Sequence, residues 1–236
     1  MPLEALIWDV DGTLAETEEG HRAAFNAAFA EAGLDWHWNP TLYAALLEVT
    51  GGKERIRHYL ETTPGLPRLD APTIARLHAA KTAHYVAATP TFTLRPGVHR
   101  LLHQAHAAGL RLAIATTTTP ANVEALLVAT LGPTGPAFFE TIAAGDIVPH
   151  KKPAPDIYDL VLARLRLPAT HCLAIEDTPN GARSARAAGI PVLITTSLYG
   201  GTTGFGPTAA IVASLDAPII DVAALHRLHA SPSPSD

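Results

Sequence analysis

Residues 3–13 read Leu3-Glu-Ala-Leu-Ile-Trp-Asp9-Val-Asp11-Gly-Thr13. The stretch from Leu3 to Val10 is short, mostly apolar and closes on acids, which is the pattern of a buried strand. Asp9 and Asp11 then sit at its carboxyl end, where open α/β sheets bind their ligands. Two carboxylates that close repel each other unless a cation or a bound proton relieves them. An acidic turn capping a strand, with Gly12 supplying a positive φ, would read the same way, so the pair needs support from elsewhere in the chain.

Beyond this stretch the apolar period changes. Phe25, Ala28, Phe29 and Ala32 recur at i, i+3, i+4 and i+7 within residues 16–34, predicting an amphipathic helix closed by Gly33. Similar patterns cover 42–49, 53–60 and 72–88, so residues 16–90 are expected to be all-helical. Breakers at Pro90 and Pro96 return the chain to a strand–helix alternation. Helices are expected at 98–108, 120–130, 156–165 and 181–188, and strands at 111–115, 141–143, 172–175 and 191–195. Alternating βα units of this length imply a parallel sheet with helices on both faces. The expected fold is α/β: a Rossmann-like parallel-sheet core (1–15 and 91–229) with a small all-helical domain (16–90) inserted after the first strand. The tail 230–236, Ala-Ser-Pro-Ser-Pro-Ser-Asp, is low in complexity and expected to be disordered.

Composition excludes several classes of protein. In 236 residues, hydrophobic types make up 47% and charged types 17%, which a disordered chain does not show. Lys and Arg number 17 against 22 Asp and Glu, a net charge of −5, so no basic excess exists to hold nucleic acid. The apolar runs are strand-sized, and no membrane partner is expected. A single cysteine, Cys172, cannot form an internal disulfide and fits a reducing compartment. A cytoplasmic, monomeric globular protein is expected.

Three further motifs fall at predicted strand ends. Thr116-Thr117-Thr118-Thr119-Pro120 joins a strand to a helix, where hydroxyls and backbone N–H groups make an anion site. Lys151-Lys152-Pro153 precedes a helix, and a lysine before proline is held extended. Glu176-Asp177 follows an apolar run, and hard oxygens from two neighbouring strand ends suit Mg²⁺. Each alone has a plain structural alternative: a Thr-rich cap, a solvated basic loop, or an N-cap pair.

Together, in order and each at a strand end, the four motifs resemble those of the haloacid dehalogenase-like phosphohydrolases across residues 3–200. The inserted helices resemble that family's small cap domain. The run from Asp9 to Arg22 and the segment Thr50-Gly-Gly-Lys-Glu-Arg-Ile56 are similar to the CbbY-type branch. That branch contains phosphatases linked to the Calvin cycle, acting on inhibitory sugar bisphosphates such as xylulose-1,5-bisphosphate. The resemblance implies that Asp9 is the nucleophile forming an aspartyl-phosphate, and that Asp11 is the general acid and then base. It implies Mg²⁺ held by Asp9, the backbone carbonyl of Asp11, and Asp177, with Glu176 close by. Lys152, Thr116 and Thr117 would hold the phosphoryl oxygens; Lys151 is the neighbour without an assigned role.

The cap would set specificity. His21 lies one turn before Phe25 and is expected to face the cleft, while Glu16 and Thr17 sit at the hinge. Lys53, Arg55 and Lys81 are candidates for a second phosphate, Arg55 through its bidentate fork. Trp36 and Trp38 have no functional case, and the glycine-rich loop 197–207 departs from the family pattern. The partner expected is a small phosphorylated sugar. Alternatives are a phosphoglycolate phosphatase, a beta-phosphoglucomutase-like mutase, or a non-enzymatic phospho-receiver, which would need neither Asp11 nor the helical insertion.

Overall fold

The computed structural model describes residues 1–230. Among them, strands β1 (Ala5–Trp8), β2 (Arg111–Ala115), β3 (Thr141–Ala143), β4 (Cys172–Glu176), β5 (Val192–Thr195) and β6 (Ala210–Val212) form one parallel sheet in the order β3-β2-β1-β4-β5-β6. The helices are α1 (Glu18–Glu31), α2 (Pro40–Leu46), α3 (Gly52–Thr62), α4 (Ala71–Ala88), α5 (Val98–Ala107), α6 (Pro120–Leu131), α7 (Asp156–Leu165), α8 (Pro179–Ala187) and α9 (Val222–Ala230). No helix among the described residues is long and apolar enough to cross a membrane.

Side chains of alternating strand residues bury two layers. Leu6, Trp8, Leu112, Ile114, Leu173 and Ile175 pack toward α5, α6 and α9. Ala5, Ile7, Ala113, Ala115, Cys172 and Ala174 pack toward α7 and α8. With both faces covered, strands read as continuous apolar runs, which is why the sequence pattern exposes them. The chain winds from β1 through β2 to β3 on one side, then crosses to β4, β5 and β6 on the other. This reversal opens a crevice at the carboxyl ends of β1, β2 and β4. Trp8 is in register with both Ile114 and Ile175, so Asp9 emerges level with Ala115 and Glu176. The Asp9 N–H donates to the Ile175 carbonyl at 3.0 Å.

Helices α1 to α4 enclose a separate core. Trp36 and Trp38 belong to it, ringed by Phe25, Phe29, Tyr43 and Tyr59. Trp38 lies 4.6 Å from Phe25 and Trp36 lies edge-on to Phe29 at 5.2 Å, arrangements that add to plain burial. The two segments linking cap and core run side by side: Ala15 forms an isolated bridge with Leu94, and the Arg95 N–H donates to the Leu14 carbonyl at 2.8 Å.

Two elements escape the sequence pattern. β6 is a three-residue edge strand with no buried residue, too short to show a period. α9 follows a loop-rich stretch and ends at Ala230, which the sequence assigned to the tail; the rest of that tail, 231–236, lies outside the described residues. α8 begins at Pro179, two residues before the expected start, because the Thr178 hydroxyl caps it by accepting from Gly181 N–H at 3.1 Å.

Candidate active site

Lys152 gathers three strand ends. Its Nζ donates to Asp9 Oδ1 at 2.6 Å, to the Ala115 carbonyl at 2.9 Å and to Glu176 Oε1 at 2.6 Å. The Tyr158 hydroxyl donates to the same Glu176 oxygen at 2.6 Å. Burial works against the Lys152 ammonium, but Asp9 and Glu176 outweigh it and raise its pKa, so the charge stays. For Asp9, burial is the largest influence and pushes the carboxyl up to about 8, with Glu176 and Asp11 adding to it against Lys152. Asp177 is also raised well above the carboxylate range, by burial and then by Asp9 and Glu176.

One ammonium therefore faces a surplus of buried carboxylates. Asp9, Glu176 and Asp177 each place an oxygen within 4.8 Å of the others. Glu176 Oε2 is buried without a hydrogen-bond partner. Ser197 donates to Asp177 Oδ2 at 2.6 Å and holds that side chain in place. Gly12, at φ 78°, makes the approach feasible: a Cβ there would lie 2.0 Å from Asp177 Oδ2. An all-oxygen donor set with excess negative charge fits Mg²⁺.

Asp11 belongs to a different set. Its Oδ1 accepts from the Thr17 hydroxyl at 2.5 Å and bonds His21 Nε2 at 2.8 Å. His21 Nδ1 in turn lies 2.5 Å from Lys81 Nζ, and the imidazole stacks on Tyr85 at 4.0 Å. With Lys81 donating to Nδ1, the His21 Nε2–H donates to Asp11. Burial alone would raise Asp11, but His21, Thr17 and Lys81 hold it down at about 2. Burial pulls Lys81 down to about 8, with Arg55 adding to the effect. The metal role expected of Asp11 runs through its backbone carbonyl, and its carboxylate is turned to the cap, outside the three-carboxylate cluster.

Thr116 and Thr117 line the same cavity as Asp9, Asp11 and Lys152. The Thr116 N–H donates to the Ala143 carbonyl at 3.0 Å, which anchors the loop to β3. Arg55 is buried, donates to the Leu46 carbonyl and the Tyr43 hydroxyl, each at 3.2 Å, and lines this cavity and a smaller one beside it.

Two expected site residues are elsewhere. Glu16 pairs with Arg95 at 3.1 Å and lines neither cavity. Lys53 reaches across to Asp146 and also lines neither. The residue in Glu16's expected place is Glu18, which lines both cavities and accepts from the Tyr43 hydroxyl at 2.7 Å. Its spacing of one helical turn from His21 was a usable signal. Tyr158 was hidden in an apolar stripe that also reads as core. The glycine-rich loop brings Ser197 to Asp177 and Tyr199 to Glu19 on the cap, edge-on to Tyr43 at 5.7 Å.

Comparison with known proteins agrees with this geometry. The chain matches the haloacid dehalogenase-like hydrolases over residues 3–189. It is 52% identical to the plasmid protein CbbY of Cupriavidus necator, covering 86% of this chain and 82% of that one. It is 55% identical to protein CbbY of Rhodobacter capsulatus, covering 84% and 88%. Among solved structures, CbbY of Rhodobacter sphaeroides in complex with phosphate superposes with a TM-score of 0.90 at 44% identity, covering 94% of this chain and 99% of that one. A variant of that protein, in complex with xylulose-(1,5)bisphosphate, matches equally well. By the match of residues 3–189 to the family and the likeness to CbbY proteins over most of both chains, the chain belongs to the haloacid dehalogenase-like hydrolases as a phosphatase of the CbbY type.

Proposed function

We propose that the protein is a Mg²⁺-dependent phosphatase that removes one phosphate from a sugar bisphosphate such as xylulose-1,5-bisphosphate, through an aspartyl-phosphate on Asp9. The observation that carries this reading is the division of labour between two neighbouring carboxylates. Asp9 lies with Lys152 and the acids of β4, while Asp11 lies with the cap's Thr17 and His21. Lys152 holds Asp9 through Oδ1, and Oδ2 is the oxygen assigned to the attack on phosphorus.

Asp9 attacks phosphorus and the ester P–O bond breaks, with the leaving alkoxide taking a proton from Asp11. Asp11 is ionised in the resting site, so its proton has to be supported by the substrate: a phosphate dianion drawn beside it raises its affinity for one. Water then attacks the aspartyl-phosphate and gives its proton to Asp11, releasing inorganic phosphate and Asp9. Lys152, Thr116 and the Thr117 backbone hold the phosphoryl oxygens as charge shifts onto them. Asp9, Asp177 and the Asp11 backbone carbonyl would hold Mg²⁺, with Glu176 behind them. When bound, the ion supplies positive charge to the transferring oxygens and favours the ionised form of Asp9.

The substrate's second phosphate has a counterpart on the cap side. The smaller cavity is lined by Arg55, Lys81, His78, Thr118, Thr119 and Asn122, and it shares Asp11, Glu18 and Thr117 with the larger one. Thr119 Oγ1 and Asn122 Oδ1 are buried there without hydrogen-bond partners. Related CbbY binds xylulose-(1,5)bisphosphate, which has the two charges this arrangement suits. Phosphate release from a panel of sugar monophosphates and bisphosphates tests the reading. EDTA should abolish turnover, Mg²⁺ should restore it, and a bisphosphate should be preferred. Full activity in metal-free buffer, or no preference for a second phosphate, would overturn it.

A further inference from the structure

We propose that Lys151 is a positioning residue: with Asp146 of the core and Lys53 and Glu54 of the cap it forms an ionic latch that ties cap closure to the seating of Lys152 against Asp9. This goes beyond the site chemistry above and rests on the phosphatase reading only for its kinetic test. Lys151 opens a turn that the Ala154 N–H closes on its carbonyl at 3.0 Å, and the side chains of Lys151 and Lys152 diverge from it. Here Lys152 turns inward to Asp9, while Lys151 turns outward to the cap.

Lys151 Nζ lies 2.5 Å from Asp146 Oδ1 and 3.1 Å from Glu54 Oε2. The other Asp146 oxygen takes Lys53. The four charges alternate in sign, Lys53, Asp146, Lys151, Glu54, and cross the gap between cap and core twice. Isolated surface ion pairs contribute little, but this is a network, and the Lys151 side chain at its centre is only 15% exposed.

Two further observations show that the cap loop is shaped for this contact. Gly51 has φ 98°, and a Cβ there would lie 2.3 Å from Glu54 Oε2 and 2.8 Å from Lys151 Nζ. Along the same loop, Asn180 of the core donates to the Glu48 carbonyl at 3.1 Å and to Thr50 Oγ1 at 3.3 Å. The core side is stiffened as well: His150 N–H and Nδ1 both bond Asp156 Oδ2, at 3.3 and 2.9 Å. When the cap swings away, Lys151 loses Glu54 and Asp146 loses Lys53. The backbone that aims Lys152 then has no anchor on the cap. Closure thereby reaches the nucleophile's lysine through one peptide bond.

The test uses the full chain with Mg²⁺ and p-nitrophenyl phosphate, a small substrate that places its one phosphate in the core. Lys151→Met should lower kcat about three- to tenfold with little change in KM, the range for a networked ion pair. Lys151→Arg should restore most of that loss. Lys53→Met should also lower kcat, and adding it to Lys151→Met should lose less than the product of the two single effects, because both act through Asp146. Unchanged kcat in Lys151→Met, or strictly multiplicative losses in the double variant, would overturn the latch. A second measurement needs no turnover. Spin labels at Ala75→Cys and Ala107→Cys, both exposed, report the distance from cap to core, and the native Cys172 is buried and unlabelled. The Lys151→Met background should broaden and lengthen that distance; an unchanged distribution would overturn the proposal. If the unmodified enzyme released no phosphate from any ester, the phosphatase reading would fail while the distances still decided the latch. Should Lys151→Met not fold, Glu54→Gln carries both measurements.

Discussion

Replacing Arg55 with Ala separates binding of a second phosphate from support of the cap, because the structure allows each contribution to be sized. The guanidinium donates to the Leu46 carbonyl and to the Tyr43 hydroxyl and lies 5.3 Å from the Tyr43 ring centre. Two hydrogen bonds at about 1 kcal/mol each, with the cation–π contact at about 0.5–1 kcal/mol, come to roughly 2–3 kcal/mol. Tyr43 keeps Glu18 as a partner, so no hydroxyl is orphaned. In a chain of this size that corresponds to a Tm lower by roughly 5–10 °C. A bidentate contact to phosphate contributes about 1.5–3 kcal/mol more, and only when a second phosphate is present. The Ala variant should therefore lose about ten- to hundredfold in kcat/KM on xylulose-1,5-bisphosphate and little on phosphoglycolate, measured well below the lowered Tm. Arg55→Lys should fall between, keeping charge without the fork. Equal losses on both substrates would refute the assignment and make Arg55 a cap-supporting residue.

Asp11→Asn should still bind substrate yet turn over ~10²–10⁴-fold more slowly, the scale for lost acid–base help; an unchanged kcat in steady-state assays would contradict its role. Gly12→Ala sets a Cβ against Asp177 Oδ2 at a positive φ, so the Mg²⁺ concentration for half-maximal activity should rise well above that of the parent, as a metal titration will show. Burial, with Lys81, Lys53 and Lys151 nearby, lowers His78 from 6.5 to about 4. Between those values the unfolded chain binds a proton that the folded one does not. Stability should therefore rise with pH across this window, by at most about 1.4 kcal/mol per unit, and be complete above 6.5. Urea unfolding at several pH values should show this slope weakened in His78→Asn.

The sheet core was legible because its strands are buried on both faces and end in chemistry. Leu3 to Asp11, Leu112 to Thr119 and Cys172 to Asp177 each show an apolar run stopping at polar ligands, and a parallel sheet delivers all such ends to one edge. Strand order and register came from the structure, which sets Asp9 level with Ala115 and Glu176 by pairing β1 in parallel with β2 and β4. The helical insertion was equally visible in its 3.6-residue period. β6 was not, since three half-exposed residues carry no period.

What the sequence could not settle was the partner of each charge. Glu16, Glu18 and Glu19 are near neighbours on the chain, yet one meets Arg95, one lines both cavities and one meets Tyr199. Lys53 and Arg55 are two apart, and the helix turns one to Asp146 and the other to Tyr43. Asp11 takes His21 and Thr17, not the other acids, because the chain turns at Gly12 and the cap is folded over it. Periodicity and strand-end acids are local properties that one chain segment specifies by itself. Pairing across a domain gap depends on how two independently packed cores are set against each other, and only the tertiary structure decides that.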